Sequence, residues 1–189
     1  MKDAGGQTLF HDPKGDNGIS QTFRHFIGGL QKYIGDMSLV FLPTVNSYRR
    51  FAPGTFAPPG LTWGYENRTS AIRIPAGNPA ARRIEHRVAG GDVNPYLMLA
   101  AILGAALDGI ENQMEPASPI VGNAYAQEGL PQIPATWEDA IDALEQSTIV
   151  PRFLHPELIK NLIQTKRQEL HYIGELTPQV RIDLYLDRV

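Results

Sequence analysis

The sequence predicts an α+β fold in which several helices pack on a small antiparallel sheet. Two short segments, 69–75 and 82–88, alternate between apolar and polar residues and flank the turn-like sequence AGNPAA, so they predict an antiparallel hairpin. Other segments carry apolar residues at three- and four-residue steps, which is typical of helices that bury one face. Helices that surround one such hairpin favour the α+β class.

The first predicted helix covers about residues 20 to 36. Ser20 is a suitable N-cap, because its hydroxyl can accept a hydrogen bond from a backbone N–H of the first turn. The apolar residues that follow form one stripe, which consists of Phe23, Phe26, Ile27, Leu30, Tyr33, Ile34 and Met37.

A second helix is predicted to begin after Asn94. Asn94 can cap the helix, and Pro95 suits the first helical position because the N–H that it lacks would have no partner there. The sequence YLMLAAILGAALDGIE is apolar on nearly every side, which predicts that this helix is buried.

Three more helices are predicted at about residues 137–147, 156–172 and 178–187. Thr136 and Asp139 form the pattern of a capping box before the first of them. The proline-rich segment 43–59 and the Pro- and Gly-rich segment 115–134 predict loops, because proline lacks a backbone donor and disfavours helix before it.

The composition restricts the class of protein. The chain has 189 residues, of which 42% are apolar, and this predicts one compact unit. The formal net charge of −3 offers no basic field for nucleic acid or an anionic membrane, so neither partner is expected. The absence of cysteine excludes disulfides and thiol chemistry and is consistent with the cytoplasm. The longest apolar stretch, 97–107, is too short to cross a bilayer.

One face of the predicted hairpin is strongly charged. Because successive strand residues point to opposite faces, Arg83, Glu85 and Arg87 share a face, and Arg73 lies on the matching face of the first strand. Guanidinium groups pair with phosphate oxygens, and a carboxylate beside a phosphate can hold Mg²⁺. The alternative is a solvated sheet face on which the glutamate merely neutralises the arginines.

Two further arginines, Arg50 and Arg68, lie in or beside loops broken by proline and glycine. A loop can direct such a side chain into a cleft, although a structural ion pair would also explain it. The sequence has no glycine-rich phosphate loop of the strand–loop–helix kind. Its five histidines show no paired metal spacing and are expected to be surface or core residues: His11, His25, His86, His155 and His171.

Four ordered blocks, NSYRRFAPG, NRTSAIRIP, ARRIEHR and NPYL with LDGI, resemble the C-terminal part of the glutamine synthetase catalytic domain. The resemblance begins near GGQTLFHD and continues to the end of the chain. It implies that residues 1–189 are the C-terminal portion of such a domain and that the N-terminal part of the parent protein is absent.

The resemblance also implies which residues bind the substrates. Arg50 and Arg68 correspond to arginines that hold glutamate and its phosphorylated form, and Arg87 to one that assists the transferred phosphate. Arg73 and Arg83 correspond to contacts with the phosphates of ATP.

Glu85 corresponds to a ligand of a divalent metal, which is Mg²⁺ or Mn²⁺ in the family. The implied reaction is phosphoryl transfer from ATP to the side-chain carboxylate of glutamate, followed by displacement of phosphate from γ-glutamyl phosphate by an amine. Charge stabilisation is the main task of such a site. Because family active sites lie between subunits, the resemblance further implies a homo-oligomer, a dodecamer-like ring.

The chain departs from the family pattern in one loop. Family members that use ammonia carry a glutamate in the pattern RxxPGxE, where this sequence has Phe56 in RFAPGTF. An aromatic ring can line a pocket for an alkyl or polyamine chain but does not attract a small cation as a carboxylate does. This favours an organic amine, as in γ-glutamylpolyamine synthetase-like members. Ammonia-dependent glutamine synthesis and a non-catalytic binding role are the alternatives.

A second departure concerns the segment that supplies most metal ligands in the family, which the sequence does not contain. The chain alone is therefore expected to hold no Mg²⁺ and to be inactive. It is also expected to expose apolar surface and to self-associate, because helix faces and sheet edges would lack their neighbours.

Overall fold

The structure is a computed structural model that describes residues 1–51, 55 and 57–186. In this part of the chain the α-helices are α1 Gln21–Tyr33, α2 Ser38–Phe41, α3 Pro95–Glu111, α4 Trp137–Gln146, α5 Pro156–Gly174 and α6 Pro178–Leu186. The strands are β1 Trp63–Tyr65, β2 Ile72–Ile74 and β3 Glu85–His86. The α+β class predicted from the sequence is confirmed.

The sheet has the order β1-β2-β3. Strands β2 and β3 are antiparallel, with Ile72 opposite His86 and Arg73 opposite Glu85, so the predicted hairpin is confirmed. Strand β1 was not predicted, and it pairs with β2 in parallel. The sheet is therefore mixed and not wholly antiparallel. The connection from β1 to β2 contains a turn in which the N–H of Ser70 donates to the carbonyl oxygen of Asn67.

The predicted helix starts agree with the structure. The Ser20 side chain accepts from the N–H of Phe23, and the Thr136 side chain accepts from the N–H of Asp139. Asn94 accepts from two N–H groups of the first turn of α3. The segment 43–59 was predicted as loop, yet it contains a short 3-10 helix, Val45–Arg50.

Helices α1 and α3 cross at two glycines. A Cβ on Gly29 would lie 2.8 Å from the Cα of Gly109 and closer still to the carbonyl oxygen of Ala105. A Cβ on Gly109 would lie 2.7 Å from the Cα of Gly29. The helices therefore approach until their backbones touch, which places α3 against the buried stripe of α1.

The prediction that α3 is buried holds for only one of its faces. Its buried residues include Ala101, Ala105 and Ala106. The opposite face forms an apolar stripe, defined by residues that are 46% to 83% exposed: Tyr96, Leu99, Leu103 and Leu107. The expectation of exposed apolar surface is thus met by the α3 stripe. Among the described residues, no helix combines the length and hydropathy needed to cross a membrane.

Candidate active site

The pairing of β2 with β3 brings three of the predicted site residues together. Arg73 Nη1 lies 2.7 Å from Glu85 Oε2, and Arg87 Nη1 donates to Glu85 Oε1. The arginine side chains are each 15% exposed and that of Glu85 is 37% exposed, so the group lies at an accessible surface of the sheet. We call Arg73, Glu85 and Arg87 the charged cluster.

The opposite face of the same strands is apolar. Ile72, Ile74 and Val88 are 0% to 1% exposed. The ring of His86 lies 4.5 Å from that of Phe41, and both of its nitrogens are buried. The alternation read from the sequence therefore separates a charged face from a core face.

Glu85 is held in its ionised form. Burial alone would raise the pKa of its carboxyl group, but hydrogen bonds from Arg87 and Arg73, together with their positive charges, hold that pKa below its ordinary value. The cluster therefore presents a carboxylate between two guanidinium groups at neutral pH.

Glu66 is a member of this site that the sequence did not predict. Its Oε2 lies 3.0 Å from Arg73 Nη2, and its Oε1 accepts from the N–H of Ala76. These contacts lower the pKa of Glu66, the bond from Ala76 most and that from Arg73 next. Arg73 thus lies between two carboxylates. The sequence YENR contains this acidic residue, but the sequence alone does not indicate that it lies near Arg73. That proximity follows from the parallel pairing of β1 with β2.

Arg83 lies outside the charged cluster. Strand β3 covers only Glu85–His86, so Arg83 precedes it in irregular chain. Its side chain is exposed, and its Nη1 donates to the carbonyl oxygen of Ala81 at 3.3 Å. Its role toward a nucleotide phosphate stays a prediction.

Arg50 and Arg68 lie on segments that flank the sheet. Arg50 ends the 3-10 helix Val45–Arg50, and its Nη1 donates to the carbonyl oxygen of Val88 at 3.2 Å. It borders a cavity of about 250 Å³ beside α6. Arg68 is exposed in the β1–β2 connection and near enough to Glu66 to help lower its pKa. Phe56, the predicted determinant of the amine, lies outside the described residues.

The charged cluster fits part of a metal–nucleotide site. Glu85 offers an ionised, half-exposed carboxylate, and two arginines beside it match phosphate oxygens. Both carboxylate oxygens accept from arginines, so a metal ion would share Glu85 with Arg73 and Arg87. Within residues 1–51, 55 and 57–186, no three His, Cys, Asp or Glu side chains are grouped as a metal site. These residues therefore fit one ligand of a metal centre and not a complete centre.

Known proteins are similar to this chain in sequence. A glutamine synthetase of Pyrococcus abyssi is 42% identical over 173 residues, which cover 87% of this chain and 38% of that relative. The γ-glutamylethanolamide synthetase GlnA4 of Streptomyces coelicolor is 39% identical over 153 residues, which cover 81% of this chain and 33% of that relative. The chain thus spans little more than a third of the length of these relatives.

Solved structures agree with the sequence relatives. The structure of GmaS without ligand superposes with a TM-score of 0.81 at 37% identity, over 94% of this chain and 41% of GmaS. The complex of GmaS with ADP gives the same TM-score at 36% identity, over 95% of this chain and 43% of that structure. The family model for the glutamine synthetase catalytic domain matches residues 1–185. The chain therefore belongs to the glutamine synthetase catalytic-domain family.

Proposed function

We propose that the chain forms the C-terminal portion of the catalytic domain of an ATP-dependent ligase that joins an amine to the γ-carboxylate of glutamate. The family supports the ligase chemistry, because the relatives include glutamine synthetases and a γ-glutamylethanolamide synthetase. The observation that carries the proposal is the charged cluster, in which Glu85 lies between Arg73 and Arg87. Phosphoryl transfer depends mainly on positioned positive charge, and this cluster supplies it.

The residues divide into two proposed groups. Arg73, Arg83 and Glu85 hold ATP and its divalent cation, with Glu85 as a carboxylate ligand. When bound, Mg²⁺-ATP supplies the phosphoryl group that activates glutamate as γ-glutamyl phosphate. The chain's own arginines would neutralise the oxygens of that group during transfer.

The second group binds glutamate. Arg50 and Arg68 hold the amino acid and its phosphorylated form, and Arg87 stabilises the transferred phosphate. Arg87 already shares Glu85 with Arg73, so the proposed glutamate and nucleotide subsites meet at one carboxylate. A carboxylate common to both subsites would keep ATP, the phosphoryl donor, close to the γ-carboxylate of glutamate, the acceptor. Such proximity lowers the barrier to phosphoryl transfer.

We further propose that the amine is organic, such as a monoamine or a polyamine, and not ammonia. The support is Phe56, which replaces a charge with an apolar ring at the position where the ammonia-using pattern has glutamate. The relatives include proteins named for both products, so they are compatible with either amine. Ammonia-dependent glutamine synthesis is the alternative function. A cytoplasmic, ring-shaped homo-oligomer is the proposed setting of the whole enzyme.

The test is an ADP-release assay of the whole enzyme with ATP, Mg²⁺ and glutamate. Ammonia, ethanolamine, putrescine and spermidine are compared as acceptors, and mass spectrometry identifies the γ-glutamyl product. We expect turnover with at least one organic amine and little with ammonia. Faster turnover with ammonia would support glutamine synthesis, and no ADP release with any amine would support a non-catalytic relative.

A pair of substitutions at one position tests the role of Phe56. Phe56→Glu restores the carboxylate, and we expect it to shift the ratio of kcat/KM values toward ammonia. Phe56→Gln introduces a side chain of nearly the same size as glutamate but without its charge, so it is the matched control. If both variants shift the ratio equally, ring size and not charge governs the choice of amine.

A further inference from the structure

The guanidinium of Arg50 lies directly over Gly90, in the loop between β3 and α3. A Cβ placed on Gly90 would lie 2.9 Å from Arg50 Nη1 and closer still to Asp92 Oδ1. The same Nη1 donates to the carbonyl oxygen of Val88, two residues earlier. The absence of a side chain at residue 90 is therefore what lets this arginine reach the loop backbone.

Asp92 is fixed by two buried hydroxyls. Its Oδ2 accepts from Thr44 Oγ1 at 2.9 Å and from Ser47 Oγ. Thr44 is 7% exposed and Ser47 3% exposed, and Ser47 Oγ also accepts from the N–H of Thr44 at 3.2 Å. These bonds hold the carboxylate in one place, because neither hydroxyl has solvent as an alternative partner.

The hydroxyls and the arginine belong to one short segment. Thr44 immediately precedes the 3-10 helix Val45–Arg50, Ser47 lies inside it, and Arg50 ends it. The β3–α3 loop therefore contacts this segment at both ends. At the beginning, Asp92 accepts a hydrogen bond from Thr44. At the end, Arg50 donates to the carbonyl oxygen of Val88 and lies over Gly90. A segment held at both ends presents its last side chain in a fixed direction.

We propose that Gly90 and Asp92 are positioning residues that fix the direction of the Arg50 guanidinium for binding the glutamate substrate. This inference rests on the proposed function, in which Arg50 holds glutamate. Gly90 provides the space for the guanidinium, and Asp92 anchors the segment that carries it. Neither residue contacts the substrate in this proposal. Small displacements of a charged clamp reduce both binding and turnover of the group that it holds.

The neighbouring glycine provides a matched control. A Cβ on Gly91 would meet nothing within 4 Å. Gly90→Ala and Gly91→Ala therefore make the same chemical change one residue apart, and only the first would push against the side chains of Asp92 and Arg50. We expect Gly90→Ala to raise the KM for glutamate by on the order of 10-fold or more, with the KM for ATP nearly unchanged. Gly91→Ala should leave both values near those of the unmodified enzyme.

Asp92 offers an independent test in case Gly90→Ala does not fold. Both hydroxyls donate to the same oxygen of Asp92. Asp92→Asn keeps one acceptor oxygen with two lone pairs but removes the negative charge, whereas Asp92→Ala keeps no acceptor. We expect the KM for glutamate to increase in the order unmodified enzyme, Asp92→Asn, Asp92→Ala. A fall in melting temperature without this selective change in the glutamate KM would mean that Asp92 is merely structural, and it would overturn the proposal.

Arg50→Gln separates this inference from the function on which it rests. If Arg50→Gln raises the glutamate KM and Gly90→Ala, correctly folded, does not, then only the positioning role is wrong. If Arg50→Gln leaves the glutamate KM unchanged, then the proposed role of Arg50 in glutamate binding is wrong and the positioning role falls with it.

Discussion

Arg73 and Glu85 lie directly opposite each other on β2 and β3. Their side chains form a salt bridge on the charged face of the sheet, with Arg73 Nη1 2.7 Å from Glu85 Oε2. Arg73 also reaches Glu66, at 3.0 Å, on its other side. Two carboxylates thus share one guanidinium, although only Glu85 also contacts Arg87. This asymmetry makes the two glutamates a natural pair for comparison.

Glu85→Gln should reduce the turnover of the whole enzyme by on the order of 100-fold, because an amide oxygen is a poor substitute for a carboxylate beside a metal and phosphate. It should also raise the Mg²⁺ concentration needed for half-maximal rate. Steady-state assays across a Mg²⁺ series measure both effects. Glu66→Gln makes the same change on the other partner of Arg73 and should cost less, without a change in Mg²⁺ dependence. Equal losses of turnover in the two variants would contradict the proposal that Glu85 is a metal ligand.

His86 should make the protein less stable in mildly acidic solution. Burial lowers the pKa of His86 from 6.5 to about 4, so the folded protein keeps this ring neutral where the unfolded chain binds a proton. Stability from this residue is complete above pH 6.5 and falls as the pH decreases toward 4, by up to about 3 kcal/mol.

Urea unfolding at a series of pH values between 4 and 7.5 measures this contribution. His86→Leu should flatten the pH dependence because it removes the titrating ring. His171→Leu, at an exposed position on α5, is the control for loss of an imidazole. An unchanged pH profile in His86→Leu would show that the ring is solvated in the folded protein.

Tyr33→Phe should destabilise the fold by about 1–2 kcal/mol. Tyr33 Oη donates at 2.7 Å to Asp108 Oδ2, and Asp108 is only 3% exposed. Burial, then the bond to Asp108, raises the pKa of Tyr33 to about 12, which agrees with a hydroxyl that keeps its proton. The variant leaves a buried carboxylate with fewer donors, although Arg152 still contacts it at 2.6 Å.

Thermal and urea unfolding of Tyr33→Phe against Tyr96→Phe tests this estimate. Tyr96 is 83% exposed on α3, so loss of its hydroxyl should change the free energy of unfolding by less than about 0.5 kcal/mol. Indistinguishable curves for the two variants would mean that the Tyr33–Asp108 bond contributes nothing net.

The α3 stripe should make the isolated 189-residue chain self-associate and bind a hydrophobic dye. Leu103→Glu places a charge in the middle of this stripe, where the side chain is 46% exposed, and should reduce both effects. Light scattering and dye fluorescence measure them. Val121→Glu alters a residue that is 87% exposed but lies outside α3, in a cavity lining beside β1, and it should change neither. A monomeric, dye-free chain before any substitution would contradict the prediction.

The charged cluster could be predicted because strand alternation depends only on local geometry. Once 69–75 and 82–88 were placed as a hairpin, Arg73, Glu85 and Arg87 had to share a face, and they do. Arg83 shows the limit of this argument. Alternation puts it on the same face, but β3 begins only at Glu85, and strand ends are set by tertiary pairing and not by local pattern.

Features that depend on distant contacts were missed or only partly predicted. Strand β1 is three residues long, and its parallel pairing with β2 carries no local signal. Glu66 was missed for the same reason. The 3-10 helix Val45–Arg50 lies in a proline-rich segment but is fixed by Asp92 from the β3–α3 loop. For α3, the apolar pattern specified a hydrophobic helix without specifying which neighbours would cover it.

The contact between Gly29 and Gly109 has a consequence for how α1 and α3 can vary. At most helix crossings, a larger side chain on one helix can be offset by a smaller one on the other. Here neither position has a side chain to shorten, and each hypothetical Cβ would meet backbone of the facing helix. No compensating pair of substitutions exists at these two positions, so we expect the distance between the helices here to stay fixed during selection or redesign.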